Sequence, residues 1–551
     1  MSTLIAKHQL PVIRRSANYQ PCIWTNDFVQ SLTTDYTGER FNGRVNELKE
    51  NVIEMLNDVA KPNLDQLELI DNLQRLGLGY HFEHEIKSIL MKIYEDDQSS
   101  ETLERNDLHA AALKFRLLRQ HGYDISQDVF KYFMENGSFK GCLCNCFKGV
   151  LSLYEAYYFS SEGESIMEDA WSFTSKILKE NLDDIIDPNL GINVRHALEL
   201  PLNWRMPRLE ARWYIDFYGR INNMNPALLE LAKLDYNTVQ GLYQEELKIA
   251  SRWWKELRLS TKVSFARDKL VESFIWMVGI IPEPQFAYCR IEVAKAIQMT
   301  SVIDDIYDIY GTLHELELFT DAIERWDIHS IQLLPDYMRI FFLALYNFVN
   351  GIVYHIFREQ NIDVLPHLKK VYTDLVKCYL VEARWYHSGY TPTLEEYLDN
   401  GKLSIAQPSV VIQSYICSAN PIEKEKLECL LAMPYILQLT GTLCRIVDDY
   451  GTSSDEIARG DVPKSIQCHM FHNGTSEEAA RAEMRDLMRK KWREINACRA
   501  RDMPVSRSSV EIMLNASRSA HYIYYDSDGY AGKDGKGIDM ILSLIVQPVP
   551  L

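Results

Sequence analysis

Three carboxylates crowd the end of an apolar stretch in Ile303-Asp304-Asp305-Ile306-Tyr307-Asp308-Ile309-Tyr310-Gly311. The segment before them, Ala287 to Val302, reads as a buried helix. Asp304 and Asp308 are four residues apart, so on a helix they share one face, and Gly311 reads as its terminator. Carboxylates at a helix C-terminus face the negative end of the macrodipole and one another, an arrangement that calls for a cation. Oxygen-only donors select a hard ion, Mg²⁺ or Mn²⁺, of the kind held by one or two carboxylates together with substrate phosphates.

A second set lies downstream in Arg445-Ile446-Val447-Asp448-Asp449-Tyr450-Gly451-Thr452-Ser453-Ser454-Asp455-Glu456. Asp448, Thr452 and Glu456 fall at i, i+4 and i+8. Successive members rotate by about 40° on a helix, so their oxygens form one stripe that can chelate a hard cation. Arg445 lies three residues before Asp448 on roughly the same face and is suited to a phosphate beside the metal. A solvated acidic face would read the same way; the pairing with the Asp304 cluster is what favours a metal. Asp183-Asp184-Ile185-Ile186-Asp187 repeats the first pattern, but Pro188 follows it at once and no Arg-plus-acidic partner lies near. It reads as the end of a helix, and it shows that the pattern alone identifies nothing.

The elements that carry these residues are helical. Apolar residues recur at near-3.6 spacing over Arg44 to Leu56, Leu67 to Leu73, Asp107 to Leu118 and Leu228 to Leu257. No segment alternates as a strand does, and no Asn-Gly hairpin stands between β-branched runs, so the expected fold class is all-α. Pro-containing breaks fall at Asp187-Pro188-Asn189, Met206-Pro207, Asn223 to Pro226 and Ile281 to Pro284. The stretch Gly219 to Pro226 is the expected boundary, giving an arm over 1–24, an N-terminal domain over 25–222 and a C-terminal metal-binding domain over 223–551.

The 551 residues are 46% hydrophobic and 25% charged, as expected of a large globular chain. A net charge of −18 argues against a nucleic-acid groove, yet local arginines and metal can still hold a polyanion. No apolar run is expected to reach the ~18–20 residues of a membrane span. The opening residues lack the pattern of a secretory or transit leader, which points to a cytoplasmic chain as the sequence stands, or a plastid one if a leader was removed. Eleven scattered cysteines read as reduced thiols. Cys142, Cys144 and Cys146 form a possible metal clip, but no fourth ligand stands near and structural thiols are the favoured reading. The Asn-x-Ser/Thr triplets at Asn136, Asn473 and Asn515 read as chance matches.

Taken together, from Arg14 to Leu551, the sequence resembles the plant class I terpene synthases. Asp304-Asp305-Ile306-Tyr307-Asp308 matches the family's aspartate-rich motif, and Asp448-x-x-x-Thr452-x-x-x-Glu456 followed by Arg459-Gly460-Asp461 matches its second metal motif. Arg14-Arg15 followed by Trp24 matches the tandem-arginine element of cyclising monoterpene synthases. Leu198 to Leu202 and Arg208 to Trp213 also read as family sequence.

The resemblance implies a C-terminal class I isoprenoid-synthase α-bundle and an N-terminal α-barrel-like relic. It implies three Mg²⁺ ions, with Mn²⁺ able to substitute, bound by Asp304, Asp308, Asp448, Thr452 and Glu456, with Asp305 behind the ligands. It implies diphosphate contacts from Arg267, Lys269 and Arg445. Here the family's Arg-x-Arg is Arg267-Asp268-Lys269, which keeps the charge but loses one guanidinium fork. Trp276 corresponds to an aromatic pocket position that stabilises a cation, or else is a plain core residue; Tyr307 and Tyr310, flanking the metal motif, either face the pocket or simply pack, and Ala406 and Gln407 belong to a helix break near the substrate. Gln407 stands where a small Gly is expected, so it narrows the cavity or places an amide near the cation. Arg14, Arg15 and Trp24 cap the mouth unless they form a basic tail, and Asp528 and Tyr530 belong to a C-terminal lid. The substrate implied is an allylic prenyl diphosphate, geranyl diphosphate first and farnesyl diphosphate as the alternative. A monomer or weak homodimer with no nucleic-acid partner is expected. A trans-prenyltransferase would carry a second Asp-Asp-x-x-Asp downstream instead of the Asp448 set, and a non-enzymatic helical binding protein would need neither set.

Overall fold

The computed structural model describes residues 14–17, 19–36, 38–58, 61–99, 107–458, 462–499, 501, 503–524 and 535–551, without the side chains of 38, 39, 97–99 and 455–458. Two helical domains account for nearly all of it. The strands among the described residues are Met134–Glu135 and Ser138–Phe139, an antiparallel pair with Met134 opposite Phe139. Asn136 and Gly137 join them with φ of 52° and 79°, the left-handed pair that a two-residue hairpin turn requires. At two residues apiece these strands are too short for any alternation to register, and the fold class is all-α as expected.

The helix Pro226–Leu257 organises the catalytic end of the chain. Its start follows from Asn225, whose side chain accepts hydrogen bonds from the backbone of Ala227 and Leu228 at 2.9 and 3.3 Å, and from Pro226, which loses no helix bond in the first turn. It packs against Gly38–Leu56 and Asn26–Ser31 on one side and against Ala287–Asp305 on another. A buried polar stripe along it serves the segment 542–549. Tyr236 and Gln240 donate to the Ser543 carbonyl at 3.1 and 3.0 Å, Gln244 to that of Ile545 at 2.7 Å, and Asn237 exchanges two bonds with Val549 at 2.8 and 2.7 Å. Carbonyls that a terminal π-helical turn leaves open are thus satisfied inside the protein.

Asp336–Gln360 differs from expectation. It is long and apolar enough, at 25 residues and a mean hydropathy of 1.6, to cross a membrane by length and composition. Asn347, Asn350 and His355 break up its apolar run in the sequence. Phe341, Phe342, Leu345, Val349 and Ile352 are buried, as expected of a helix packed into a bundle.

Candidate active site

Seven helices surround a cavity of about 520 Å³. Ala287–Asp305 and Tyr435–Ala458 bring the two acidic sets to opposite walls, and Leu270–Ile280, Leu365–Ser388, Leu394–Ser404, Gln407–Ser418 and Arg507–Tyr524 supply the rest. Asp304, Asp308, Asp448 and Thr452 all line it. Glu456 lies on the same helix one turn beyond Thr452, and its side chain is outside the described residues, as are Arg459, Asp461, Asp528 and Tyr530.

The α-helix stops at Asp305 and continues as a π-turn over Ile306–Tyr310, closed by the Gly311 N–H on the Ile306 carbonyl at 2.8 Å. Gly311 ends the helix, but not by a left-handed φ: its φ is −72°. A Cβ there would stand 2.5 Å from Leu316 and 2.8 Å from the Ile306 oxygen, so close approach is what requires glycine. Gly451 is under the same constraint on the opposite helix, where a Cβ would run into the Tyr524 carbonyl.

Each wall pairs a cavity-facing aspartate with a buried one. Asp305 is fully buried. It accepts from the Arg267 backbone N–H at 2.8 Å and pairs with the Arg267 Nε at 2.9 Å, while the same guanidinium also donates to Asp304. Burial pushes the Asp305 carboxyl up and the Arg267 charge opposes it. Asp449, also fully buried, accepts from Tyr397 Oη at 3.0 Å, from Arg445 Nη1 at 3.2 Å and from the Ser465 N–H at 3.0 Å. Arg445 Nη1 reaches Asp448 at 3.2 Å as well. Burial works against the Arg445 charge, but Tyr397, Asp449 and Asp448 hold it well above the usual guanidinium range. The sequence reading missed Asp449, although Asp448-Asp449 repeats the doublet Asp304-Asp305.

Cations gather at the acidic rim. Arg267, Lys269, Arg445 and Lys464 line the cavity; Lys464 was not anticipated. Lys269 Nζ bonds Glu272 at 3.0 Å, and its backbone N–H bonds Gln298 at 2.7 Å, which in turn donates to the Arg267 carbonyl at 3.0 Å. One glutamine therefore fixes the spacing of Arg267 and Lys269. Glu382, buried at the same cavity, accepts from Asn400 at 2.9 Å and from Ser404.

The deeper wall is apolar and aromatic: Trp276, Ile280, Ile297, Tyr379, Val410 and Tyr524. The Trp276 ring lies 6.1 Å from that of Tyr524. Ala406 and Gln407 line the break between two helices. Ala406 adopts a left-handed φ of 62°, and Gln407 donates to Thr440 at 3.2 Å. Tyr307 does not line this cavity. Its ring is buried behind the motif near Phe319 and Tyr379, and its hydroxyl bonds Thr320 at 2.7 Å. Of the two roles open to Tyr307, pocket or packing, it takes packing.

The N-terminal arm crosses the mouth. Ala17, Tyr19, Gln20, Pro21, Cys22 and Ile23 line the cavity. Arg14 forms a two-bond fork with Glu315, both at 2.8 Å, and lies over Tyr310 and Tyr337 at 4.5 and 5.0 Å. Arg15 donates to the Asp308 carbonyl and lies 4.3 Å from the Tyr386 ring centre. Tyr19 covers the Arg267 guanidinium at 4.9 Å. Trp24 stays outside the cavity, 5.6 Å from Phe28, at the start of Asn26–Ser31. Asp183, by contrast, is fully exposed in a 3₁₀ turn far from the cavity, and Asp187 caps the next helix.

The donor set suits a hard divalent cation. It is carboxylate and hydroxyl oxygen from two facing walls, and a guanidinium already neutralises Asp304 and Asp305. The fold and this site define a helical enzyme for metal-assisted diphosphate chemistry, and the comparisons with known proteins agree. The description "Terpene synthase family, metal binding domain" matches residues 255–494, and "Terpene synthase, N-terminal domain" matches residues 23–198. The chain belongs to the terpene synthase family. It is 50% identical over 541 residues to the chloroplastic myrcene synthase of Quercus ilex, covering 98% of this chain and 90% of that one. A limonene synthase structure with 2-fluorolinalyl diphosphate superposes with a TM-score of 0.95 at 40% identity, covering 98% of this chain and all of that one. Isoprene synthase of grey poplar, in complex with three Mg²⁺ ions and dimethylallyl-S-thiolodiphosphate, gives 0.87 at 40% identity, covering 96% and 99%.

Proposed function

We propose that this chain is a monoterpene synthase that ionises geranyl diphosphate and converts the resulting cation to a monoterpene, releasing diphosphate. The observation that carries the reading is one cavity, polar and doubly charged at the rim, apolar and aromatic at depth. Its volume is within the range of small-molecule sites. The tandem arginines set in place across the mouth favour the ten-carbon substrate, as does the oak relative.

Asp304 and Asp308 on one wall and Asp448 and Thr452 on the other, together with Glu456 one turn further along the Thr452 helix, are the ligands in this reading for three Mg²⁺, or for Mn²⁺ in their place. When bound, the ions supply Lewis acidity to the phosphate oxygens. The chain's own residues do the rest. Arg267, Lys269, Arg445 and Lys464 take up negative charge on the leaving diphosphate as the C1–O bond breaks and its electron pair departs with oxygen. Asp305 and Asp449 hold the two arginines in register for that task. Trp276, Tyr379 and Tyr524 offer π faces to the carbocation at the apolar end of the cavity. The arm, with Tyr19 over Arg267, keeps bulk water from the mouth. Loss of a proton from the cation gives a hydrocarbon, and capture of water gives an alcohol.

The chain acts as a monomer or weak homodimer in this reading, and the chloroplastic name of the oak relative supports a plastid setting. The test is incubation of purified protein with Mg²⁺ and geranyl, neryl or farnesyl diphosphate separately, with volatile products identified by gas chromatography–mass spectrometry. Monoterpenes from geranyl diphosphate are expected. Turnover confined to farnesyl diphosphate would make the chain a sesquiterpene synthase, and diphosphate release without metal would overturn the mechanism.

A further inference from the structure

A second cavity, larger than the first at about 870 Å³, opens on the seam between the two domains. Arg75, Arg116 and Arg205 line its N-terminal wall, and Arg499, Arg507 and Arg518 its C-terminal wall. The charge balance differs between the two. Arg75 is matched by Glu210 at 2.8 Å and Arg116 by Asp71 at 2.7 Å. Across the cavity, Arg499 and Arg518 share a single carboxylate, Glu511, at 3.2 and 3.5 Å. Arg507 donates to the backbone carbonyl of His121 at 2.8 Å. Among the described residues no other carboxylate pairs with these three arginines, so three guanidinium groups share one carboxylate at this corner, while Glu83, Glu283 and Glu423 line other parts of the cavity.

The corner is also short of acceptors. Arg499 is buried, and its Nη1 has no hydrogen-bond partner, a costly condition for a charged donor. Burial, and then the nearby Arg518 and Arg507 acting against Glu511, bring its guanidinium down to about 10. Burial followed by Arg507 and Arg499 takes the His121 imidazole down to about 4, so the histidine stays neutral and adds no third charge. The same corner is the N-terminus of the helix Arg507–Tyr524, where Ser506 and Ser508 also line the cavity. A helix start adds positive potential and hydroxyl donors at the point where the arginines converge.

We propose that this seam is a binding site for a phosphate-bearing anion, held by Arg499, Arg507 and Arg518 at the start of the 507–524 helix. An arginine-rich corner suits an anion, and several guanidinium groups with serine hydroxyls at a helix start can meet the several oxygens of a phosphate at once. The site touches both domains. Arg499 and Arg507 donate to the carbonyls of Gln120 and His121, at the end of a helix in the N-terminal domain, and Arg518 holds Asn203 through two bonds. An anion bound here fastens the domains together beside the first cavity, with which this one shares Ile280 as a lining residue.

The test is isothermal titration of inorganic phosphate and inorganic diphosphate, separately, into the whole protein in EDTA at constant ionic strength. The proteins compared are wild type, Arg507→Glu, Arg507→Gln and Arg445→Gln. Arg507 is exposed, so its variants are expected to fold, which circular dichroism verifies. Saturable binding of at least one anion is expected, weakened at least tenfold in Arg507→Glu, less in Arg507→Gln, and unchanged in Arg445→Gln. Which anion binds more tightly then identifies the ligand. Equal binding by wild type and Arg507→Glu, loss of all binding in Arg445→Gln, or no binding of either anion to wild type would overturn the proposal.

Discussion

Arg15 donates a 2.8 Å hydrogen bond to the backbone carbonyl of Asp308, so the arm grips the same π-turn that presents an acidic side chain to the cavity. Closure of the mouth and placement of Asp308 are one mechanical event. Arg15→Ala is expected to loosen both, raising KM severalfold and increasing the share of water-captured alcohol among the products. Product ratios by gas chromatography–mass spectrometry check this, and an unchanged alcohol share would count against the arm as a water barrier.

Arg14 gives the arm a pH limit. Burial opposes the Glu315 charge, but the bonds from Arg14, Thr312 and Tyr337 bring its carboxyl down to about 2. A carboxyl depressed in the folded state stabilises above its unfolded value and loses that contribution as the pH falls. The arm is therefore fully held above about pH 4.5 and released progressively toward pH 2. Limited proteolysis near Arg14 across that window is the measurement. Glu315→Gln should remove the dependence, and an arm equally protected at all pH values would refute it.

Asp449 is expected to matter as much as the residues facing the cavity. Its removal strands Arg445 in the interior, a change of roughly 3–5 kcal/mol for a broken buried pair, and frees the Ser465 N–H. Asp449→Ala should lower the melting temperature markedly and reduce turnover, whereas Asp449→Asn, which keeps the shape, should lose less stability. Equal melting of Asp449→Ala and wild type would show that the pair is not structural.

The two copies of the aspartate pattern predict opposite results. Asp304→Ala should abolish nearly all turnover, as should a chelator with wild type, with activity restored by Mg²⁺. Asp183→Ala should match wild type, because its carboxylate is in solvent. A product assay in parallel decides, and comparable losses in both variants would mean that Asp304 acts through folding alone.

Lys269→Arg restores a second guanidinium beside Arg267, on a backbone that Gln298 already holds in place. Tighter retention of diphosphate after ionisation should shift the product mixture toward cyclic skeletons. An identical mixture would remove Lys269 from the control of product.

Legibility in the sequence followed the range of the interaction. Asp304, Asp308, Asp448 and Thr452 were readable because the members of each pair are close in sequence and share one motif, and all four line the cavity. Pairings across the fold were not. Nothing in the order of residues says that Asp449 meets Tyr397 and Ser465, or that Lys464 turns inward after a Val-Pro pair. Whether Tyr307 faces the pocket or packs was not legible, because a π-turn rotates each residue differently from an α-helix, and periodicity arguments assume the latter. Gly311 was readable as the stop, but the crowding by Leu316 that requires glycine there is a property of the next helix.

The buried amides of the Pro226–Leu257 helix find their partners in segment 542–549, and Asn237 and Val549 are 312 residues apart. During synthesis that helix emerges long before the chain that satisfies it. The catalytic domain therefore cannot close its core as it leaves the ribosome. It must wait, with a polar groove open, until one of its last segments is made, and this is the interval in which a chaperone has most to offer.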